Sequence, residues 1–456
     1  MKILLRLAIL LCVLGFMSAC TFAQYTDRAA IDDLGGPKTF ADRRAALAKE
    51  VKTGRVILFA RMEEPEDSHY REDNDFYYYT GIQDPGAILV INAESGATAL
   101  LEPAMPPGRV QFMGANVLAL KPEQQKELGF ERVIPVADMD SFLGYALQGA
   151  PGSDVWVRLG YADQATLART EIAGGTGLWN GHPYNTNPSS DMRQVRQLRD
   201  RYPMANFRDV TQIIDRMRNI KTGKELDVVR RNGKISAEGD REAIAHAHPG
   251  MYQYEIEAAA YFYFLSHGAQ SVAYPAIVGS GNDINTWHYF SNRHKIEANE
   301  LVVFDFAASL DHLTIDITRT FNISGKFTAE QAKWYAVDLE AQKAVIALLK
   351  PGHTYEEASD AGKAVFEKAG IGDQWFGFPG HFVGMATHDV MEVAGPVKQG
   401  QIVAVEPIVE FVDKRMHFRV EDTVLVTNGE AAVLTAAIPK EMTEVEKLVG
   451  SAVVKK

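Results

Sequence analysis

Five side chains in the carboxyl-terminal half combine oxygen and nitrogen donors with apolar surroundings. They are Asp305, Asp316, His381, Glu406 and Glu421. Asp305 ends the apolar run Leu301-Val302-Val303-Phe304, where an ionised carboxylate costs several kcal/mol to desolvate unless a cation or a hydrogen-bond donor compensates it. A single aspartate in a strand more often marks a turn or a sheet edge, so the prediction depends on the whole set.

The expected chemistry is that of a pair of hard cations. Four carboxylates and one imidazole, without a thiolate, suit paired divalent ions such as manganese, zinc or cobalt. Two such ions, typically about 3.5 to 4 Å apart, generate hydroxide near neutral pH and polarise a carbonyl group. Arg419 precedes Glu421 by two residues, so both share one face of a strand, where the guanidinium is placed to orient a ligand carboxylate. These residues predict a two-metal hydrolase.

Composition and cysteine usage exclude several other classes of protein. The chain has 456 residues and average apolar and charged fractions, which suits two globular domains. Cys12 and Cys20 are its only cysteines, so the folded part has no disulfide, thiolate metal site or cysteine nucleophile. The formal net charge of -12 gives no electrostatic basis for binding nucleic acid.

Residues 1–23 are predicted to be a signal peptide. Lys2 and Arg6 supply positive charge, and residues 7–17 form an apolar run. Two processing signals compete: Thr-Phe-Ala at 21–23 resembles a small-x-small cleavage site, whereas Met-Ser-Ala-Cys at 17–20 resembles a lipobox that would leave Cys20 lipidated. Either signal predicts export to the periplasm or the extracellular space, with a membrane anchor only in the second case.

Residues 24–205 are predicted to form a smaller amino-terminal α/β domain, ahead of a second domain at 206–456. In the first, short apolar runs such as 56–60 and 87–92 alternate with helical patterns such as 41–51. The stretch 174–190 is rich in Gly, Asn and Pro, which favours a loop or an insertion.

The second domain is predicted to be α+β. Helices are expected over 224–247 and 254–267, and two capping boxes beginning at Thr328 and Thr354 open further helices. Strands are expected over 301–306, 312–321, 402–411 and 418–427. Because apolar and polar residues alternate along 312–321, Asp316 faces away from the apolar layer. Helices on one side of a curved, mostly antiparallel sheet fit this pattern.

From Ile213 onward the sequence resembles the pita-bread metallopeptidases. The segments that carry the resemblance are MRNIKTGKELDVVRRNGKIS, VGSGNDINTWHY, VVFDFAASLDHLTIDITRTF, GHFVGMATHDV, AVEPIVEF and FRVEDTVLVT. In the first half, NDFYYYTGIQDPGAILV is similar to the amino-terminal domain of Xaa-Pro aminopeptidases and prolidases. The resemblance implies a carboxyl-terminal pita-bread catalytic domain, two divalent metal ions with manganese favoured, and a dimer or tetramer.

The resemblance also assigns roles to single residues. Asp305 would bind one metal ion, and His381 and Glu406 the other, while Asp316 and Glu421 would bridge both. Glu406 would also carry the proton of the attacking water. Two non-ligand histidines, His288 and His388, would hold the substrate carbonyl and stabilise the tetrahedral intermediate, with Arg419 as a supporting residue.

Three positions depart from the family pattern. Gly377 stands where many Xaa-Pro aminopeptidases have a histidine, and Ile408 and Glu410 replace the glycine and the tyrosine that commonly follow the Glu-Pro pair. These positions help to line the proline subsite, and an acid at Glu410 could favour another residue after the scissile bond. Three functions therefore stay open as predictions: an aminopeptidase acting on peptides with proline second, a prolidase-type dipeptidase, or a catalytically silent binding protein on the same fold.

Overall fold

The computed structural model describes residues 26–62, 70–148, 153–180, 190–390 and 395–453. The predicted signal peptide and Cys20 lie outside the described residues. Contacts divide the chain into two compact units, one of Met1–Asp32, Gly36–Val157 and Arg196–Arg208, the other of Asp33–Gly35, Arg158–Val195 and Asp209–Lys456. The segment Arg158–Val195 thus groups with the second unit. The border predicted between residues 205 and 206 stays a prediction.

The first unit is built on a six-stranded mixed sheet. Its strands are β1 Arg55–Phe59, β2 Ile88–Asn92, β3 Thr98–Glu102, β4 Val133–Pro135, β5 Asp154–Val157 and β6 Asn206–Asp209. The order across the sheet is β4-β3-β2-β1-β5-β6. Strand β1 pairs antiparallel with β2 and parallel with β5, and parallel strands require long connections that commonly contain helices. The α/β character predicted for this part of the chain is confirmed.

Helices connect or flank these strands. They are α1 Arg28–Asp33, α2 Pro37–Val51, α3 Asn74–Thr80, α4 Pro107–Met113, α5 Pro122–Glu127 and α6 Met139–Gln148. The ends of α3 follow from its sequence, because the Asp73 side chain accepts a hydrogen bond from the Phe76 amide and Gly81 ends the helix in the left-handed conformation.

Eight more helices follow residue 168. They are α7 Arg169–Asn180, α8 Ser190–Arg201, α9 Thr211–Asn219, α10 Lys224–His246, α11 Gln253–Ser266, α12 Ala329–Leu348, α13 Tyr355–Lys368 and α14 Met442–Leu448, all within the described residues. Thr328 and Thr354 each accept a hydrogen bond from the amide three residues ahead, which starts α12 and α13. The predicted helices at 224–247 and 254–267 are confirmed within a residue at each end.

The loop predicted at 174–190 is wrong over 174–180, because these residues belong to α7. A glycine inside a helix costs only about 1 kcal/mol relative to alanine, so Gly174 and Gly175 do not end it. Residues 181–189 of the predicted loop lie outside the described residues.

The strands of the second unit form four small antiparallel sheets. They are β7 Ser271–Val272, β8 Ile277–Ser280, β9 Leu301–Asp305, β10 Ala308–Leu310, β11 Leu313–Thr314, β12 Thr318–Asn322, β13 Gly380–Phe382, β14 Ile402–Val405, β15 Ile408–Phe411, β16 Met416–Arg419, β17 Asp422–Leu425 and β18 Ala432–Val433. Their orders are β11-β10-β7, β12-β9-β8, β13-β14-β17-β18 and β15-β16. Each described pairing in this unit is antiparallel, as predicted.

Three of the predicted strands are interrupted at a predicted ligand. Asp316 lies between β11 and β12, Glu406 between β14 and β15, and Glu421 between β16 and β17. The prediction of continuous strands is therefore wrong at these points. Each backbone amide finds another partner: the Asp316 amide donates to Thr423 Oγ1, the Glu406 amide to Pro379 O, and the Glu421 amide to Thr318 O. The apolar pattern continues through the breaks because flanking residues are also buried, so periodicity does not reveal them.

The core beneath these strands joins helices α12 and α13 to the sheet that carries His381. Val345 and Tyr355 from the helices pack with Phe382, Val403 and Val424 from β13, β14 and β17, and all five are buried. This packing fixes the strands from which the ligands project. Among the described residues, none of the helices combines the length and apolar content that crossing a membrane requires.

Candidate metal centre

The five predicted ligands come together from separate strands of the second unit. Asp305 ends β9, His381 lies in β13, and the other three occupy the strand breaks. Register brings them together: Asp305 of β9 pairs with Thr318 of β12, while His381 pairs with Ala404, two residues before Glu406. All except Glu406 are buried.

The donor atoms form overlapping groups of three. In one group, atoms of Asp305, Asp316 and Glu421 lie within 4.8 Å of one another, and in a second the same holds for His381, Glu406 and Glu421. A shorter contact joins the groups, because His381 Nε2 lies 3.2 Å from Asp316 Oδ2. Glu421 belongs to both groups and Asp316 reaches both, as expected of bridging ligands. The ligand roles themselves stay a prediction.

Several of these donors have no hydrogen-bond partner although they are buried. The atoms are Asp305 Oδ1, Asp316 Oδ1, Glu421 Oε1 and His381 Nε2. Buried polar atoms are normally paired, and leaving a charged one unpaired is costly. Four lone-pair donors that converge without a partner are the arrangement that a divalent cation satisfies, so the residues present fit a metal centre.

The carboxylates at this centre repel one another. Burial raises the pKa of Asp305 to about 7 against the opposing charge of Arg419. Burial, with repulsion from Asp316 and Glu406, also holds the pKa of Glu421 well above its usual range. The protein's own cations therefore leave excess negative charge here, and a bound cation is favoured.

His381 and Asp316 shift in opposite directions. Burial alone would lower the pKa of His381, but the nearby Asp316 and Glu406 carboxylates outweigh it and raise that pKa to about 9. Burial likewise favours neutral Asp316, but contact with His381 prevails and lowers the pKa of Asp316. His381 Nε2 has no geometrically sound hydrogen bond, so this 3.2 Å contact acts chiefly through charge.

Arg419 and Thr318 hold one oxygen of each of two ligands. Arg419 Nη2 donates to Asp305 Oδ2 at 2.6 Å, and Arg419 Nε donates to Thr318 Oγ1 at 3.1 Å. Thr318 Oγ1 in turn donates to Glu421 Oε2 at 2.7 Å. The other oxygens, Asp305 Oδ1 and Glu421 Oε1, are the unpaired ones. This series of hydrogen bonds fixes the two carboxylates and leaves one oxygen of each free to bind a metal ion.

Both predicted non-ligand histidines line a cavity of about 290 Å³ next to the acids. Its wall includes His288, His388, Asp305, Asp316, Tyr274 and Gln164. The His388 ring stacks on His381 with centroids 3.8 Å apart. Burial, with the nearby charges of Arg419 and His388, lowers the pKa of His288. Two carboxylates, Asp305 and Asp316, and two imidazoles, His288 and His388, therefore line the same cavity.

Two family profiles match the chain, one for each half. Metallopeptidase family M24 matches residues 227–428, a range that contains all five predicted ligands. Aminopeptidase P, N-terminal domain, matches residues 40–156. Together they span more than two thirds of the sequence.

Residues 227–428 form a domain of metallopeptidase family M24. The second unit accordingly has the predicted pita-bread fold, preceded by the predicted α/β domain. The family implies divalent metal ions at the carboxylate cluster.

The chain is similar to known peptidases over different lengths. The Xaa-Pro aminopeptidase of Escherichia coli is 27% identical, over 91% of this chain and 98% of its own length. The Xaa-Pro dipeptidase of Pyrococcus furiosus is 29% identical, over 53% of this chain and 70% of its own length. The solved structure of Pseudomonas aeruginosa aminopeptidase PepP superposes with a TM-score of 0.75 at 26% identity, covering 91% of this chain and 98% of that one.

Glu410, one of the three departures from the family pattern, lies in a polar cluster. Glu410 Oε2 accepts hydrogen bonds from Asn285 Nδ2 at 3.2 Å and Trp287 Nε1 at 3.4 Å. The buried His417 lies opposite in register on β16, with Nδ1 3.5 Å from Glu410 Oε2. Burial lowers the pKa of His417 to about 4. We call Glu410, His417, Asn285 and Trp287 the Glu410 cluster.

Sequence reasoning missed several residues of the M24 site. Thr318 holds Glu421, and Thr423 Oγ1 both accepts from the Asp316 amide and donates to the Asp316 carbonyl. Thr318 follows Asp316 by two residues and Thr423 follows Glu421 by two, so each shares a strand face with a predicted ligand, a signal that was available. Glu171 contacts His388 across a separation of 217 residues, for which no local pattern gives a signal.

Proposed function

We propose that the protein is a metal-dependent aminopeptidase that hydrolyses the amino-terminal Xaa-Pro bond of peptides. The observation that carries this proposal is the converging set of buried, unpaired carboxylate oxygens at Asp305, Asp316 and Glu421, together with His381, beside a peptide-sized cavity. The Escherichia coli relative that aligns with 91% of the chain is an Xaa-Pro aminopeptidase, which supports this choice of bond.

The ligand set divides the work between binding and proton transfer. Asp305, Asp316, His381, Glu406 and Glu421 would hold two divalent ions, which when bound lower the pKa of a water and polarise a carbonyl oxygen. Glu406 is the ligand with the most solvent access, with a side chain 23% exposed. It accepts the proton of the attacking water and delivers it to the amine that leaves.

The imidazoles on the cavity wall orient the substrate. Because burial and nearby positive charge lower the pKa of His288, its ring is neutral near pH 7 and donates one hydrogen bond to a carbonyl oxygen. His388, on the same wall, stabilises the negative oxygen that develops when the carbonyl is attacked. Arg419 favours the ionised form of Asp305 and orients it through its 2.6 Å contact.

The prolidase-type dipeptidase is the second candidate. One observation favours it: the Pyrococcus furiosus Xaa-Pro dipeptidase is similar to the chain at 29% identity. That similarity covers only 53% of the chain, whereas the aminopeptidase relatives extend through the amino-terminal domain. We therefore favour the aminopeptidase.

One experiment separates these functions. The chain is freed of metal, reconstituted with manganese or zinc, and offered Xaa-Pro dipeptides, Xaa-Pro-Yaa tripeptides and Xaa-Ala-Yaa tripeptides. Faster cleavage of Xaa-Pro-Yaa than of the others supports the aminopeptidase, while cleavage restricted to dipeptides supports the prolidase type. A reconstituted chain that binds no metal and cleaves none of them is instead a silent binding protein.

Manganese is the metal that we propose for the site, and zinc and cobalt suit the same donors. Competition among the three ions during reconstitution, followed by elemental analysis, tests this choice.

We also propose export by the signal at residues 1–23, and a dimer or tetramer as the mature form. The mass of the mature amino terminus separates cleavage after Ala23 from lipidation at Cys20, and light scattering gives the assembly.

A further inference from the structure

The segment that precedes α7 lies against the loop after β13 that carries His388. The Thr387 amide donates to Ala165 O at 2.9 Å, and the His388 amide donates to Thr166 O at 2.9 Å. Ala165 and Thr166 lie between the two profile matches, which end at 156 and begin at 227. The support for His388 therefore comes from a part of the chain that neither profile describes.

Glu171 lies in the first turn of α7 and uses both of its carboxylate oxygens. Oε2 accepts the Ala168 amide at 2.9 Å, at the start of α7, and Oε1 lies 2.6 Å from His388 Nδ1. Burial alone would raise the pKa of Glu171, but His388 outweighs it and lowers that pKa. An ionised carboxylate only accepts hydrogen bonds, so Nδ1 of His388 carries the proton.

The contact between Nδ1 of His388 and Glu171 decides which ring nitrogen is available to the cavity. With Nδ1–H bound to Glu171, the second nitrogen, Nε2, is left for the cavity that His388 lines. The backbone bond to Thr166 and the stacking on His381 at 3.8 Å fix the ring from two further sides. A carboxylate that holds a histidine in this way fixes the orientation of its ring.

We propose that Glu171 is a positioning residue that accepts the Nδ1–H of His388 and fixes the ring with Nε2 facing the cavity, where an Nε2–H donates to the oxygen of the substrate carbonyl. This inference rests on the proposed peptidase function. The two hydrogen-bonding contacts of Glu171 that are described go to Ala168 and His388, so its strongest link to the site passes through His388.

The chain offers a matched control in the pair of Glu357 and His353. Glu357 Oε2 lies 3.1 Å from His353 Nδ1 and also accepts the Thr354 amide at the start of α13. It contacts the same kinds of group as Glu171, on an exposed surface, but through one oxygen. Glutamine has one acceptor oxygen where glutamate has two, so Glu357→Gln can keep both contacts, whereas Glu171→Gln loses one of its two.

The first measurement determines which nitrogen of the His388 ring carries a proton. In the full, zinc-loaded chain labelled with ¹⁵N-histidine, long-range ¹H–¹⁵N spectra report the tautomer of each ring, and His388→Asn identifies the signals of His388. We expect Nδ1 of His388 to be protonated in the parent chain, and this preference to be lost in Glu171→Gln but kept in Glu357→Gln. A His388 ring with an unprotonated Nδ1 in the parent chain overturns the proposal.

The second measurement is kinetic. On an Xaa-Pro-Yaa tripeptide, Glu171→Gln should lower kcat about 10- to 100-fold, as lost support of a catalytic histidine does, with KM and bound metal nearly unchanged. In a His388→Asn background the same substitution should change kcat less than about twofold, because the two residues act through one contact. A loss of kcat that persists in that background contradicts positioning through His388.

The two proposals fail in different ways. If the parent chain hydrolyses none of the peptides, the proposed function falls and the role of Glu171 toward substrate falls with it, whatever tautomer is found. If the parent chain is active and Glu171→Gln keeps full kcat, only the positioning role is overturned.

Discussion

The metal-ligand cluster and the Glu410 cluster each combine carboxylate and imidazole groups within the second unit, four carboxylates in the first and one in the second, yet their hydrogen bonding differs. In the first, Asp305, Asp316 and Glu421 each retain one buried oxygen without a partner. In the second, Glu410 Oε2 accepts from Asn285 and Trp287, and the acid's pKa is lowered, first by contact with His417.

The difference shows which acids are prepared for a cation. A carboxylate that neighbouring donors already satisfy gains little from a metal ion, whereas one that is buried with a free lone pair gains much. What prepares a carboxylate for a cation is therefore the number of hydrogen-bond donors that reach it. Thr318 donates to only one oxygen of Glu421, and Arg419 to only one oxygen of Asp305.

Removing a proposed bridge should give the largest effect. Asp316→Ala should lower turnover by more than about 100-fold, since even the loss of an outer partner costs a metal site 10- to 100-fold. The fold should persist, because relief of repulsion with Glu421 offsets the lost contacts. Peptide hydrolysis, metal content and a thermal melt check this together. Near-full activity would contradict the bridging role.

Removing a donor that orients a ligand should have a smaller effect. Thr318→Val keeps the shape but deletes the hydrogen bond to Glu421 Oε2, so metal affinity should fall about 10- to 100-fold. Thr427→Val, which deletes an exposed hydroxyl bonded to Glu430 O, is the control. Equal affinity in both variants, measured by titration calorimetry, would show that Thr318 does not support the centre.

Stability against pH should separate the metal-free and metal-loaded forms. Asp305 has a folded pKa of about 7 against about 3.9 unfolded, so the folded form takes up a proton. That stability is complete below about pH 4 and is lost as the pH rises to about 7. His381, with a folded pKa of about 9 against about 6.5 unfolded, extends the loss to about pH 9.

The measurement is denaturant unfolding from pH 5 to 9 with and without metal. The metal-free chain should lose stability as the pH rises through this range, and the loaded chain should lose less. Buried acids elsewhere, such as Asp338, contribute alike to both forms and cancel in the difference. Parallel pH profiles would show that these groups do not sense the metal.

The Glu410 cluster should give the smallest effect. Glu410→Gln keeps an acceptor for Asn285 and Trp287, so metal affinity and stability should change by less than about 1 kcal/mol. The ratio of kcat/KM for substrates with proline second to those with lysine second should rise, because the variant lacks the negative charge. An unchanged ratio would remove Glu410 from specificity.

Much of the second unit followed from local signals. The capping boxes at Thr328 and Thr354 give the starts of α12 and α13 because the cap is a contact within three residues. The strand breaks at Asp316, Glu406 and Glu421 did not follow, since buried residues continue on both sides of each. The helix across Gly174 and Gly175 was also missed, because glycine weakens a helix without ending it.

The sequence by itself determined the chemical types at the centre: four carboxylates and one imidazole, without cysteine in the folded part. Those identities follow from residue order and need no coordinates. Only the tertiary structure decided which oxygens stay free and which residue holds His388, 217 positions from Glu171. Lone pairs are left free or satisfied by donors from distant strands and helices, so their state depends on how the chain packs.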